Sequence, residues 1–308
     1  MTSSDSSTVK STTDTGKITR VGIIGAGQMG GGIAEVCARA SVDVLIWEPD
    51  REATAAGRSR ILTSLDRGVS SGKITERERE QAALRLRFTT DLGDFADRQL
   101  VVEAVVEDED VKTRIFAELD EIVIDPDAVL ASNTSSIPIM KLGMVTKQPH
   151  RVIGLHFFNP VPVLPLVELI TTLETSDEVR ARAERFASEV LGKQVIHSSD
   201  RSGFVVNALL VPYLLSAIRM AESGFATVED IDKAMVLGCA HPMGPLSLSD
   251  LVGLDTVKAI ADSMYAEFKE ALYSPPPLLL RMVEAGRLGK KAGHGFYHYD
   301  DEGRAIRA

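Results

Sequence analysis

A chain of 308 residues with 44% hydrophobic and 25% charged side chains has the make-up of a globular protein, long enough for two modest domains or one large one. Its formal net charge of −10 argues against sequence-independent binding to nucleic acid or to an anionic membrane. The two cysteines, Cys37 and Cys239, stand far apart and in no metal-ligand or redox spacing, so neither a disulfide framework nor a metal site is expected, in keeping with a cytoplasmic protein.

Residues 1–17 are rich in Ser and Thr, lack an aliphatic run of signal-peptide length, and read as a disordered tail. Ile18–Ile24 is a short apolar strand leading into Gly25-Ala26-Gly27-Gln28-Met29-Gly30, with a helix starting near Gly30. Val42–Trp47 is a second strand, ended by Glu48, and Arg51–Gly68 has helical periodicity. From Arg51 to Phe88 there are nine Lys/Arg against five Asp/Glu, a local net of +4; most of these charges read as a solvated helix face, and a few as contacts for an anionic substrate. Leu100–Val106 is a strand, Val111–Ile122 a helix, and Val129–Ser132, Val152–His156 and Val167–Ile170 are further strands. Strands alternating with helices predict an α/β fold with a doubly wound parallel sheet covered on both faces.

After about Ser199 the pattern turns helical: Gly203–Ala221, Thr227–Leu237, Ser247–Leu272 and Pro277–Ala285, with no strand pattern between them. Thr227 followed by Asp230 resembles a helix cap, and Pro275-Pro276-Pro277 is a stiff connector. Gly203–Ala221 is the most lipid-like stretch, but Asn207, Pro212 and Arg219 within it favour a buried interface helix over a membrane span. We therefore expect a dinucleotide-binding domain over 18–200 and an all-helical domain over 201–308. The apolar face Leu209–Leu215 suggests that the helical domain completes its core by forming a homodimer.

The spacing Gly25-x-Gly27-x-x-Gly30 is weak by itself, but here an apolar strand precedes it, a helix follows, and Glu48 ends the next strand. The first glycine permits a tight turn, the second lets backbone approach a pyrophosphate, and the third lets helix pack on strand. Glu48 would accept hydrogen bonds from the adenosine ribose and repel a 2′-phosphate, favouring NAD over NADP; nearby Arg51 is the group that could offset that preference. The plainer alternative is a glycine turn with no ligand.

The most informative segment is Leu155-His156-Phe157-Phe158-Asn159-Pro160, with Glu168 twelve residues after the histidine. An imidazole titrates near neutrality, and an adjoining carboxylate fixes its tautomer and stabilises the imidazolium, as a proton-transfer catalyst requires. Glu168 lies among aliphatics, a costly setting that pairing with His156 would resolve. A structural histidine ending an apolar strand is the alternative.

Taken together, Gly25–Gly30, Ser132-Asn133-Thr134-Ser135-Ser136, His156–Pro160 and Gly203-Phe204-Val205-Val206-Asn207 resemble the 3-hydroxyacyl-CoA dehydrogenase family, most closely its short single-function bacterial branch that acts on 3-hydroxybutyryl-CoA. His241-Pro242-Met243-Gly244-Pro245 and Gly289–Tyr297 continue the resemblance, which spans residue 18 to Tyr299. It implies an NAD-dependent oxidoreductase acting on an acyl-CoA, with His156 as general base and Glu168 as its orienting partner. It also implies that Ser135 and Asn207 hydrogen-bond the substrate's oxygens. Cofactor contacts carried over are Gly25, Ala26, Gly27, Gln28, Met29, Gly30, Glu48, Glu107, Lys112, Ser135, Asn159 and Lys291, and Ser64 and Lys73 are CoA contacts. Each has a plainer reading: Glu107, Lys112 and Lys291 as surface charges, Ser135 as a cap for a helix near Ile137, Asn207 as a packing hydrogen bond. Glu48 stands where Asp is frequent in the family, and the Ser/Thr tail has no counterpart there. A non-CoA 3-hydroxy acid as substrate, or a catalytically silent NAD-binding protein, are the competing functions.

Overall fold

The computed structural model describes residues 17–300 and 302–306. The expected tail lies outside them except for Lys17. The chain forms two compact units, one of the residues up to Asn133 with Ile139–His197, the other of Thr134–Pro138 with residues from Ser198 on.

The first unit is built on β1 (Arg20–Ile24), α1 (Gln28–Arg39), β2 (Asp43–Trp47), α2 (Arg51–Ser70), α3 (Glu76–Arg85), β3 (Leu86–Thr89), β4 (Leu100–Glu103), α4 (Glu109–Ile122), β5 (Val129–Ser132), α5 (Ile139–Met144), β6 (Val152–Phe157), β7 (Leu166–Thr171), α6 (Asp177–Arg185) and β8 (Gln194–Ser199). The strands form one eight-stranded sheet in the order β3-β2-β1-β4-β5-β6-β7-β8. Strands β3 to β6 along that order are parallel, so their carboxyl ends share one edge, where open α/β sheets hold ligands. β1, β4 and β5 are buried almost throughout, which accounts for their unbroken aliphatic runs.

Three sequence expectations change. The sheet is mixed, not wholly parallel: β7 runs antiparallel to β6, with His156 directly opposite Glu168. Only eight residues join those strands, too few for the crossover that a parallel pair needs. β4 stops at Glu103, three residues short of the expected end: Ala104 N–H still reaches the Ile24 carbonyl, but Val105 N–H turns to the Glu103 carboxylate. Helix α1 starts at Gln28, inside the glycine motif, with Gly27 at the cap position.

The second unit holds α7 (Val206–Glu222), α8 (Val228–Cys239), α9 (Pro245–Val252), α10 (Leu254–Phe268) and α11 (Pro277–Glu284), packed on a core that includes Leu214, Leu215, Ile218, Leu246, Val257 and Met264. Thr227 caps α8 as expected, its hydroxyl accepting from Asp230 N–H at 3.1 Å. The stretch expected as one helix over 247–272 is two, broken at Gly253, whose φ of +99° lies outside the helical region. α7 begins three residues later than expected because Gly203 (φ +83°) and Phe204 (φ +47°) are left-handed. Nor is the unit wholly helical: His298–Tyr299 and Ala305–Ile306 form a small antiparallel ribbon.

Candidate active site

The glycine loop is shaped to take a dinucleotide. Gly25 has φ of +92°, and a Cβ on Gly30 would stand 1.9 Å from the Gly25 carbonyl oxygen, so the first and third glycines are required by backbone geometry and close packing. A Cβ on Gly27 would meet nothing within 4 Å, so that face of the loop is open to an incoming group. No side chain caps the N-terminus of α1, which leaves its first amides and the positive end of the helix dipole for an anion. The loop is held from both sides of one residue: the Glu48 carboxylate accepts from the Ala26 N–H, and Arg60 Nη1 donates to the Ala26 carbonyl at 2.6 Å. These features fit a bound pyrophosphate. Arg60 is a residue that sequence reasoning missed, because its partner lies 34 positions away.

At the end of β4, Glu103 is fully buried and satisfied on every side. Its carboxylate accepts from Lys112 Nζ at 2.7 Å, Val105 N–H at 2.8 Å and the Ser132 hydroxyl at 2.6 Å. Lys112 also meets Glu107 at 3.1 Å. Lys112 is buried, so the surface-lysine reading of it is wrong: burial of an ammonium between two carboxylates is a built feature. The buried acid in Val101-Val102-Glu103 was a visible signal that went unread.

His156 sits near the end of β6 and Glu168 near the start of β7, both buried, with Nδ1 and Oε2 2.6 Å apart. The contact follows from the antiparallel register, which places the two residues opposite one another on the same face of the sheet. An ionised carboxylate is acceptor-only, so Nδ1 carries the hydrogen of this bond, and in a neutral ring Nε2 is the acceptor nitrogen. The Phe158 ring lies 4.6 Å from the imidazole, tilted by 57°. On the other side of β6, Asn133 Oδ1 accepts from the Phe157 N–H at 2.9 Å. Asn159 follows on an exposed turn, whose Val161 and Leu164 carbonyls accept from Lys193 Nζ at 2.6 and 2.7 Å.

Ser64 is half-buried on α2, and Lys73 is exposed on the turn between α2 and α3. Ser135, Asn207 and Lys291 belong to the second unit. Just ahead of α5, the Thr134 hydroxyl accepts from the Ile137 N–H at 2.9 Å. Asn207 is buried in the first turn of α7. Lys291 is exposed and pairs with Asp255 at 2.7 Å. Its loop is fixed by Asp250, which accepts from Phe296 N–H, Tyr297 N–H and the Tyr299 hydroxyl, each at 2.9 Å. A Cβ on Gly295 would stand 2.0 Å from Asp250 Oδ1, which explains a glycine there. Burial is the main cause pushing the Asp250 carboxyl up from the ordinary range, against the pull of those three donors. Among the described residues no group of three or more His, Cys, Asp or Glu could hold a metal ion.

The signature of the 3-hydroxyacyl-CoA dehydrogenase NAD binding domain matches residues 20–201, and that of the family's C-terminal domain matches residues 203–299. A 3-hydroxybutyryl-CoA dehydrogenase of Mycobacterium tuberculosis is 72% identical over 282 residues, 92% of this chain and 99% of the relative. The crystal structure of M. tuberculosis FadB2 superposes with a TM-score of 0.91 at 72% identity, covering 92% of this chain and 99% of that one. That of (S)-3-hydroxybutyryl-CoA dehydrogenase PaaH1 from Ralstonia eutropha does so with 0.87 at 43% identity, covering 92% and 100%. With its glycine loop, its sheet order and both of its units accounted for, this chain belongs to the 3-hydroxyacyl-CoA dehydrogenase family of NAD-binding oxidoreductases.

Proposed function

We propose that the chain interconverts (S)-3-hydroxyacyl-CoA and 3-ketoacyl-CoA thioesters with NAD, preferring short chains such as 3-hydroxybutyryl-CoA and acetoacetyl-CoA. The observation that carries this reading is the buried His156–Glu168 contact of 2.6 Å on a cofactor-binding sheet. The names borne by the bacterial relatives support the short-chain preference.

In the oxidative direction His156 Nε2 accepts the proton of the 3-hydroxyl while a hydride leaves C3. Bound NAD supplies the hydride acceptor. Glu168 keeps the imidazole oriented and offsets the charge of the imidazolium. In the reductive direction the protonated His156 returns its proton to the ketone oxygen. Ser135 and Asn207 hydrogen-bond the two substrate oxygens, which fixes C3 relative to the cofactor. The glycine loop with Gln28 and Met29, and with Glu48, Glu107, Lys112, Asn159 and Lys291, holds the dinucleotide; Ser64 and Lys73 meet the CoA. The working form is a homodimer joined through the second unit, acting in the cytoplasm without nucleic-acid or membrane partners. Among the described residues no helix is long and apolar enough to cross a membrane.

Steady-state assays with acyl-CoAs of increasing length, a free 3-hydroxy acid, and both nicotinamide cofactors test the reading. His156→Ala should lower kcat by about 10²-fold or more. Near wild-type acetoacetyl-CoA reduction by that variant would remove the role given to His156, and equal turnover of the free acid would remove the CoA specificity.

A further inference from the structure

We infer that Asn133 is a positioning residue for the reaction, holding the strand end that carries His156 by accepting the backbone N–H of Phe157; this rests on the reading of His156 as the base. β5 pairs with β6 only as far as Ser132 opposite Gly154, whereas β6 runs on for three more residues to Phe157. Over that extension the β7 side of β6 is paired, with Leu155 opposite Leu169, His156 opposite Glu168 and Phe157 opposite Val167. On the β5 side the backbone pairings end with Ser132 opposite Gly154. Asn133 takes their place: its own N–H stays in the ladder, donating to Glu103 carbonyl oxygen at 2.9 Å, while its side-chain oxygen reaches Phe157 N–H at 2.9 Å. Asn133 is buried, as are Phe157, His156 and Glu168, so water cannot substitute for the lost acceptor.

The consequence is directional. The Glu168 bond fixes the imidazole ring, but it does not fix the backbone from which that ring projects. Asn133 clamps the peptide unit immediately after His156, so that strand end is held from both sides. Glu103 in turn braces β5 through the Ser132 hydroxyl at 2.6 Å and Lys112, which makes the anchor itself rigid. A base must be held within a fraction of an ångström, so a frayed strand end should slow the proton transfer while leaving ground-state binding alone.

The test compares Asn133→Leu, which removes the acceptor, with Asn133→Asp, which keeps an oxygen there, in the full-length enzyme. N133L should lower kcat by about 10–100-fold while KM for NAD and acetoacetyl-CoA stays within about twofold, and N133D should recover most of the loss. Val129→Ala, on the same strand, serves as a control for lost stability: it should lower Tm and leave kcat close to wild type. Wild-type kcat in N133L, or an equal loss in the control, overturns the inference. If N133L does not fold, Asn133→Ser, whose hydroxyl is too short to reach, replaces it under the same criteria. An inactive His156→Ala with an unaffected N133L rejects the role of Asn133 alone; an active His156→Ala rejects the underlying reading.

Discussion

At the scale of single residues, burial decides what each polar group can do. Glu168, Glu103 and Lys112 are all withdrawn from water; Glu103 and Lys112 pair with each other, and Glu168 with the His156 imidazole, so their cost of burial is met locally. Cys37 shows the other outcome. Its thiol is buried on α1, and burial pushes its pKa from the ordinary value up to about 12. A group whose folded pKa is raised favours the native state below its unfolded pKa, and that contribution is lost as pH climbs from about 9 to about 12. Cys37 should therefore stay unmodified by iodoacetamide at pH 8 in the native protein and react once the chain is unfolded, as mass spectrometry of the Cys37 peptide would read. A Cys37 adduct on the native protein would contradict its placement. His156 and Glu168 were legible as a pair because a carboxylate among aliphatics needs a partner, although the antiparallel register that brings them together was not. Asn133 was not, since its partner is 24 positions away and depends on where β5 stops.

At the scale of elements, the two sequence motifs of the second unit turn out to be supports built around buried carboxylates. Asp232 on α8 accepts from the Leu246 and Ser247 N–H groups at 2.8 and 2.9 Å and from the Tyr297 hydroxyl at 2.9 Å, so it caps α9 from a neighbouring helix. A Cβ on Gly244 would stand 2.2 Å from Asp232 Cγ, which accounts for the glycine of His241–Pro245. Asp232→Ala strips two helix-terminal amides and a phenol of a charged acceptor, and should destabilise the protein by ~2–4 kcal/mol. Urea unfolding would read it, and a loss below ~0.5 kcal/mol would mean that water or another group replaces the carboxylate. Boundaries were the least legible feature of the elements. The break between α9 and α10 rests on one glycine conformation that periodicity cannot reveal, and the start of α7 on two left-handed residues.

At the scale of the whole molecule, the second unit leaves large apolar side chains in solvent: Leu209 is 74% exposed, Phe225 79% and Leu237 73%. Single exposed hydrophobics are ordinary, but this many on one small helical unit favours a covered surface in the working protein. Light scattering after gel filtration should give twice the chain mass, and Leu209→Asp should shift it toward one chain; a monomeric wild type would refute the homodimer. What the amino-acid sequence determined by itself was everything carried by local signals. Those were the alternation of strands and helices, the glycine turn before α1, the change to helices near residue 200, and the histidine with a carboxylate set among aliphatics twelve residues on. The antiparallel turn of β7, the bracing of Glu103 by Ser132 and Lys112, and the clamp of Asn133 on Phe157 were decided only by the tertiary structure. The reason is physical. Periodicity and turn chemistry act over a few residues, whereas a buried polar group takes whatever partner the strand order brings beside it, and that order exists only once the chain has folded.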